Sequence, residues 1–348
     1  MRGERERERG TGVMNVTRMI LVSLMLIATI SVHAVSESIP PPMVNAIVLS
    51  KADTVRIGAY VESLYDFDLP SNTIRADVYY WCHYKNPELD LANEFELKKS
   101  TSVLFLNSEK DTIPTGYRFH TKASAKVRQS FNLTNYPFDD QRLVISVEAY
   151  ASDIDKLVFK PDIKDCGIDT SVHKSLSEWS VTNTQYLVTE ATYNSDFGDL
   201  DRNNRSGYSR FDIVIDLHRK DSLHILVKLI TGILVAFVIA CCSFFIRANN
   251  IDPRFGLSVG ALFAAIGNKY TVESNVPSTS EVSMLDNLHN LTFVYIFLVI
   301  VATVLSLYLY EKGSEAGIRR SRRLDMYAFA TIFVSYLTIM GYLIGREM

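Results

Sequence analysis

The stretch from Phe255 to Val272 lies among three runs apolar enough to cross a bilayer, yet it is itself too small and too polar to face lipid. It carries Gly256, Gly260 and Gly267, followed by Asn268 and Lys269. At about 1.5 Å per residue, a helix over this stretch spans roughly 27 Å, close to the hydrocarbon thickness of a membrane. A helix of that length with poor lipid solubility must be shielded by other helices or line water. The pattern predicts a pore-lining helix.

The flanking runs set its topology. Leu223 to Ile246 is apolar except for Lys228, and Leu291 to Tyr310 and Met326 to Gly345 carry no charge. Basic residues cluster at Arg319, Arg320, Arg322 and Arg323, and Arg247 and Arg254 flank the connection after the first run. The positive-inside rule puts both connections in the cytoplasm. The N-terminus reads as a signal peptide over residues 1–34, with an apolar core from Ile20 to Val32 and small residues before a cleavage point at Ala34. The Arg-Glu repeats before Met14 are odd for such a segment, so Met14 is an alternative start. Both signals put the region between residues 35 and 220 outside, in a multi-pass protein of the plasma (inner) membrane.

With 348 residues, 22% charged and 47% hydrophobic, the chain has room for two domains. The net charge of −3, with neither half strongly basic, argues against nucleic acid as a partner. Residues 35–220 read as a water-soluble β-rich domain and residues 221–348 as a helical membrane domain. Strands are expected at Thr54–Tyr65, Thr73–Tyr84, Val103–Leu106, Tyr117–Leu133, Leu143–Tyr150, Trp179–Glu190 and Ser209–Leu217. Short strands without intervening helical patterns predict an antiparallel β-sandwich, followed by a four-helix transmembrane bundle. Cys241 and Cys242 sit in an apolar helix as packing residues, and whether Cys82 and Cys166 pair is open.

The sharpest local motif is Tyr136-Pro-Phe-Asp-Asp-Gln141, where Pro137 fixes φ, two aromatics offer apolar wedges, and Asp139 and Gln141 offer polar contacts. Taken alone it also fits an ordinary sandwich turn. Together with Arg219, Pro253-Arg254 and Asn275-Val-Pro277, it resembles the pentameric ligand-gated ion channels over about residues 45–345. Animal members close the Pro-Phe-Asp loop with two Cys; here Gln129 and Leu143 stand in those places. That difference and the short connection from Glu311 to Arg323 resemble the prokaryotic branch. The chain departs from the pattern in its first helix, which has Thr231-Gly232 and no Pro, and in the three glycines of the second.

The resemblance implies a homopentamer whose second helix lines the pore with Asp252, Gly256, Gly260, Phe263, Gly267 and Tyr270 or Thr271. A ring of Phe263 would block ions by dewetting, and a ring of Asp252 would favour cations. Pro253-Arg254 beside Gly256-Leu257 is also similar to anion-conducting members, so selectivity is drawn from Asp252. The glycines would otherwise be packing residues against neighbouring helices. The resemblance further implies a coupling cluster of Asp66 or Asp68, Asp139 and Arg219, with Pro277 opposite. A small ligand would bind between adjacent sandwiches at Tyr193, Phe197 and Tyr208, facing Tyr79 and Trp81. Aromatic rings hold ammonium groups by cation–π attraction, although such rings also pack sandwich cores. Phe197-Gly-Asp-Leu-Asp-Arg-Asn203 lacks the Gly and terminal Glu of a calcium loop and reads as a solvated acidic loop.

No His-Glu-x-x-His pair, phosphate-binding Gly-rich loop or Gly-x-Ser-x-Gly elbow is present, so no catalytic residues, metal or cofactor are expected. The scattered His83, His120, His173, His218, His224 and His289 leave a proton-responsive role open. The chain is expected to be no enzyme but a ligand-gated channel, cation-selective and opened by a small extracellular ligand or by protons. Its partners would be further copies of itself, membrane lipids and the permeating ions. The alternatives are an anion-selective channel and a non-conducting membrane-anchored sensor.

Overall fold

Strong alternation of apolar and polar residues organises the N-terminal half. The computed structural model of the chain describes residues 52–198, 206–274, 282–312 and 314–348. The signal segment, Asn275, Val276, Pro277 and the acidic loop from Asp199 to Asn203 lie outside the described residues.

β1 (Asp53–Asp68), β2 (Thr73–Tyr84), β4 (Ser100–Ile113), β5 (Gly116–Arg128), β7 (Leu157–Pro161) and β8 (Gly167–Ile168) form one sheet. Its main order is β4-β5-β2-β1-β7, with β8 also beside β1. β3 (Phe95–Leu97), β6 (Asp140–Ala149), β9 (Trp179–Tyr193) and β10 (Ser206–Arg219) form the second, in the order β3-β6-β10-β9. Every second residue of the central strands turns inward. Ile57, Val78, Phe119, Ile145, Phe211 and Ile213 are among the fully buried side chains shared by the two faces.

β2 has the bounds expected from its alternation. β4 runs far beyond the expected Val103–Leu106 because it is a largely exposed edge strand, held by pairing with β5 rather than by an apolar face. Its hairpin needs Gly116: φ there is +137°, and a Cβ would stand 2.3 Å from the Tyr84 carbonyl oxygen. The pairing is antiparallel except where β7 and β8 run parallel to β1. That departs from a purely antiparallel sandwich because the chain leaving β6 crosses to the other sheet before returning alongside β1.

β10 runs almost directly into α1 (Ser222–Cys242), and a short 3-10 turn at Ser243–Phe245 precedes α2 (Ile251–Glu273). α3 (Met284–Glu311) and α4 (Glu315–Glu347) complete the helical half. α3 starts with a capping box: Asp286 N–H donates to Ser283 Oγ at 3.1 Å, and the Asp286 carboxylate accepts from Ser283 N–H at 3.1 Å. Three helical segments are long and apolar enough to cross a membrane, Ser222–Phe245, Met284–Glu311 and Glu315–Glu347, with mean hydropathies of 2.7, 2.4 and 1.7. The 23 residues of α2 have the length without the hydropathy.

α2 packs against α1 and α3, while α4 lies chiefly along α3. Aromatic contacts tie α4 to the rest. Phe237 of α1 stacks on Tyr336 at 3.8 Å between ring centroids, and Tyr336 meets Tyr295 edge-on at 5.3 Å. The Tyr336 hydroxyl also lies 2.9 Å from Thr292 Oγ1, so the ring buries no orphaned polar end.

Candidate functional site: an outward helix stripe, a buried arginine and an aromatic cluster

α2 has two unlike faces. Arg254, Ser258, Ala261, Ala265 and Val272 are buried against the other helices. Asp252, Gly256, Gly260, Phe263, Gly267, Tyr270 and Thr271 are exposed, at the i, i+4, i+7 spacing of one helical stripe. Phe263 and Tyr270 are 68% and 67% exposed, large fractions for aromatic side chains on a membrane-length helix. A Cβ added at Gly256, Gly260 or Gly267 would meet nothing within 4 Å, so none of these glycines serves close helix packing among the described residues of the chain.

The polar residues that set α2 apart divide between these faces. Arg254, which the charge pattern assigned to a cytoplasmic connection, is 1% exposed and pairs through Nη2 with Asp325 of α4. Asn268 turns toward its neighbours, with Oδ1 3.1 Å from His289 Nε2. The other ring nitrogen of His289 donates to the Leu285 carbonyl at 2.8 Å. Gly232 of α1 makes room for this contact, since a Cβ there would lie 2.4 Å from Asn268 Nδ2. Lys269 lies 3.5 Å from Glu273 and 3.9 Å from Asp286. Asn268 and the ion pair of Lys269 with Asp286 thus link α2 to α3, whereas Asp252 remains exposed.

Where the sandwich meets the helices, Arg219 is gripped from all sides. Its Nε and Nη2 donate to the two carboxylate oxygens of Asp139 at 2.7 and 3.1 Å, and Nη1 donates to Glu178 at 3.3 Å. The guanidinium lies 3.9 Å from the centre of the Trp179 ring and 4.8 Å from that of Tyr136. Asp139 also accepts from Gln141 Nε2 at 2.6 Å, so the Pro-Phe-Asp loop holds its own carboxylate in place. The loop reaches the membrane half directly: Met284 N–H, at the start of α3, donates to the Thr134 carbonyl at 3.0 Å.

The first turn enters this cluster differently from expectation. Asp66 bonds Arg75 at 3.1 Å and Asp68 lies 3.7 Å from Lys126, so neither carboxylate is Arg219's partner. Phe67 between them stacks on Trp179 at 5.9 Å, extending the aromatic shell around the guanidinium. Glu178 was not foreseen. It is placed by the pairing of its neighbour Trp179 with Arg219 across β9 and β10, a register that no local motif announces.

Gln129 closes the loop without a disulfide. Its Nε2 donates to the Val144 carbonyl at 3.0 Å, and its Oε1 accepts from Val144 N–H at 3.1 Å. One primary amide satisfies both backbone groups of the residue beside Leu143. Cys82 and Cys166 are both free thiols, and Cys166 Sγ accepts from Ala59 N–H at 3.3 Å.

At the far end of β9 and β10, Tyr193, Phe197 and Tyr208 meet edge to face, with centroid separations of 5.3, 5.8 and 6.3 Å. Beneath them Glu148 is 2% exposed, accepting from the Tyr193 hydroxyl at 2.9 Å and from Arg210 Nε at 2.6 Å. Lys98 adds its ammonium 3.7 Å from Glu148 and 5.6 Å from the Tyr193 ring centre. Burial opposes the charges of Arg210 and Lys98, but their carboxylate partners outweigh it and raise both pKa values. Tyr79 and Trp81 lie on β2 of the other sheet. Tyr79 sits under the Lys122 ammonium at 5.1 Å, and Trp81 donates to Asp162 at 3.2 Å. Among the described residues no ring contact joins either to the trio.

A two-sheet sandwich leading into helices, one of which turns a small-residue stripe away from its own bundle, fits the pentameric ligand-gated ion channels that the motifs resemble. No protein-family model matches the chain. A gamma-aminobutyric acid receptor subunit beta of Lymnaea stagnalis is 26% identical over 210 residues, which are 60% of this chain and 38% of that protein. A proton-gated ion channel of Gloeobacter violaceus is 22% identical over 298 residues, 84% of this chain and 78% of the channel. The match therefore spans less than half of the receptor subunit and most of the bacterial channel. The chain is related to the pentameric ligand-gated ion channels at low identity, and neither relative is named as an enzyme.

Proposed function

We propose that the chain is the subunit of a homopentameric, cation-selective ion channel, opened by a small extracellular ligand or by protons. Residues 35–220 serve as its external ligand-binding domain and residues 221–348 as its four-helix pore domain in the plasma (inner) membrane. The observation that carries this reading is the exposed stripe of α2 on a helix too polar for lipid. Five copies around an axis would turn those stripes onto a common water-filled lumen. Phe263 would then form an apolar constriction that excludes ions when narrow.

The charge preference follows from the opposite fates of Asp252 and Arg254. Asp252 is exposed at the start of the stripe, while Arg254 is buried and paired with Asp325. A ring of carboxylates without a matching ring of guanidiniums favours cations. The relative named as proton-gated favours protons as one agonist. The Tyr193, Phe197 and Tyr208 cluster supports a small-ligand site, completed by Tyr79 and Trp81 of an adjacent copy.

Gating would pass from the sandwich through Asp139 and Arg219, with the Met284–Thr134 contact carrying movement to the head of α3. Pro277 would lie in the connection that receives it. The test is planar-bilayer recording of the purified chain during pH steps and amine application in asymmetric NaCl. Reversal potentials should follow sodium, Asp252→Asn should weaken that preference, and Phe263→Ala should raise resting current. Reversal that follows chloride would replace cations with anions, and silence under every condition would favour a non-conducting sensor.

A further inference from the structure

The end of β2 and β5 opposite the Pro-Phe-Asp loop holds a lysine where alternation calls for an apolar residue. Lys110 of β4 pairs in register with Phe119 of β5, so its side chain leaves the edge strand on the core side of the sheet. Phe119 is buried there. The Lys110 ammonium donates to the carbonyls of Pro87 and Leu89 at 3.3 and 3.2 Å. It also lies over two rings, 5.1 Å from the centre of Tyr117 and 5.7 Å from that of Tyr84. Among the described residues no carboxylate pairs with it, so rings and carbonyl dipoles alone meet its charge.

The groups around the ammonium are held in place by other contacts. Tyr84 and Tyr117 sit opposite each other across β2 and β5 and stack at 5.8 Å between centroids. Tyr84 is buried, and the Gly116 turn packs against its carbonyl. The two acceptor carbonyls belong to a turn tied by Asn86. Asn86 Oδ1 accepts from Glu88 N–H at 2.9 Å, its carbonyl accepts from Leu89 N–H at 3.4 Å, and its Nδ2 donates to Asp53. The Leu89 and Leu91 side chains anchor the turn in the core. Two acceptors and two ring faces are therefore preorganised around one point.

We propose that this is a receptor site for a primary ammonium group, filled by the chain's own Lys110, which admits small alkylamines once that side chain is removed. Carbonyl oxygens take the N–H groups and ring faces take the charge, which is what a primary ammonium requires. A quaternary ammonium has no N–H for the carbonyls and is selected against. An inward lysine also discourages edge-to-edge pairing of an exposed strand, but that role needs no such set of acceptors. A tethered side chain competes at an effective concentration of about a millimolar or more, so the intact protein keeps dilute amines out. The site uses none of Tyr193, Phe197 and Tyr208, and it does not require the chain to conduct.

Two measurements on the purified full chain test it. Acetylation by an N-hydroxysuccinimide ester, read by mass spectrometry, should be roughly tenfold slower at Lys110 than at exposed Lys164. Tyr117→Leu should bring the two rates together. In thermal melts, about 20 mM n-propylammonium should raise the midpoint of Lys110→Ala about threefold more than that of the wild type. Neither 1-propanol nor tetramethylammonium at the same concentration should do so. Adding Tyr117→Leu to Lys110→Ala should abolish the rise, and adding Tyr193→Leu should preserve it. Equal acetylation rates in the wild type would overturn the site, as would a rise matched by propanol or tetramethylammonium, or one that survives Tyr117→Leu. A rise lost with Tyr193→Leu would assign the amine to the proposed ligand site and overturn this one. The acetylation comparison uses the wild-type fold and decides alone if Lys110→Ala does not assemble.

Discussion

Arg219 and Arg254 are both about 1% exposed at the side chain, and each faces an aspartate far away in sequence, yet their surroundings differ. Arg219 spends three nitrogens on two carboxylates and lays its flat faces on Trp179 and Tyr136. Arg254 reaches Asp325 through Nη2, and among the described residues its Nε and Nη1 have no hydrogen-bond partner. A buried charge is tolerable when its donors are met, and each unmet donor costs about 1–3 kcal/mol. The joint between sandwich and helices is therefore a saturated knot. The joint at the base of α2 is met less fully, by one nitrogen of Arg254 on one carboxylate.

The largest break in this contrast should come at Arg219. Arg219→Ala strands Asp139 and Glu178 and should cost about 3–5 kcal/mol, seen as thermal dissociation of the purified oligomer at lower temperature or as lost gating. A normally gated Arg219→Ala channel would end its coupling role. Arg254→Met should cost less, about 1–3 kcal/mol, because it also removes two orphaned donors. Pairing it with Asp325→Leu should return stability close to wild type, since a buried ion pair can be exchanged for apolar groups without loss. The matching pair Arg219→Met with Asp139→Leu should stay destabilised, because Glu178 loses its guanidinium and Gln141 loses the carboxylate it donates to. Equal recovery in both pairs, measured by the same melts, would erase the distinction.

Gln129 tests whether the knot needs its loop held shut. Gln129→Ala frees the Val144 N–H and carbonyl and should cost about 1–2 kcal/mol, with protease cutting faster near the Pro-Phe-Asp loop. Unchanged cutting would show that Arg219 and Asp139 suffice.

The smallest effect should come from His83, away from both arginines. Burial lowers its pKa, so the folded sandwich prefers the neutral ring. The unfolded chain gains that proton near pH 6.5, so this contribution is intact above that value and is lost as pH falls from there through the lowered pKa of the folded state. His83→Gln should shrink the difference between melting temperatures at pH 7.5 and pH 5.5. An unchanged difference would assign the acid sensitivity to other groups.

Much of this was legible along the chain. The bounds of β2 follow from its alternation, and the outward stripe of α2 follows from where its small residues recur. Asp139 was legible because the Pro-Phe-Asp motif and Arg219 are both marked by the resemblance. The carboxylates of Asp66 and Asp68 depart from expectation because strand neighbours decide their partners: Arg75 comes from β2 and Lys126 from β5, beside it in register. β4 extends beyond its apolar stretch because an exposed edge strand needs no alternating apolar face. The polarity of α2 read as a single property, yet Asn268 and Lys269 spend it on α3.

By itself the sequence determined the local periods: alternating strands, three apolar spans, and a fourth helix with a small, polar stripe. These depend on side chains a few residues apart, which chain geometry aligns without outside help. The tertiary structure alone decided which charges are buried and who meets them. Arg219 and Asp139 are 80 residues apart, and Arg254 and Asp325 are 71 apart. Only packing distant segments into one low-dielectric interior makes one arginine a closed knot and leaves the other with donors to spare.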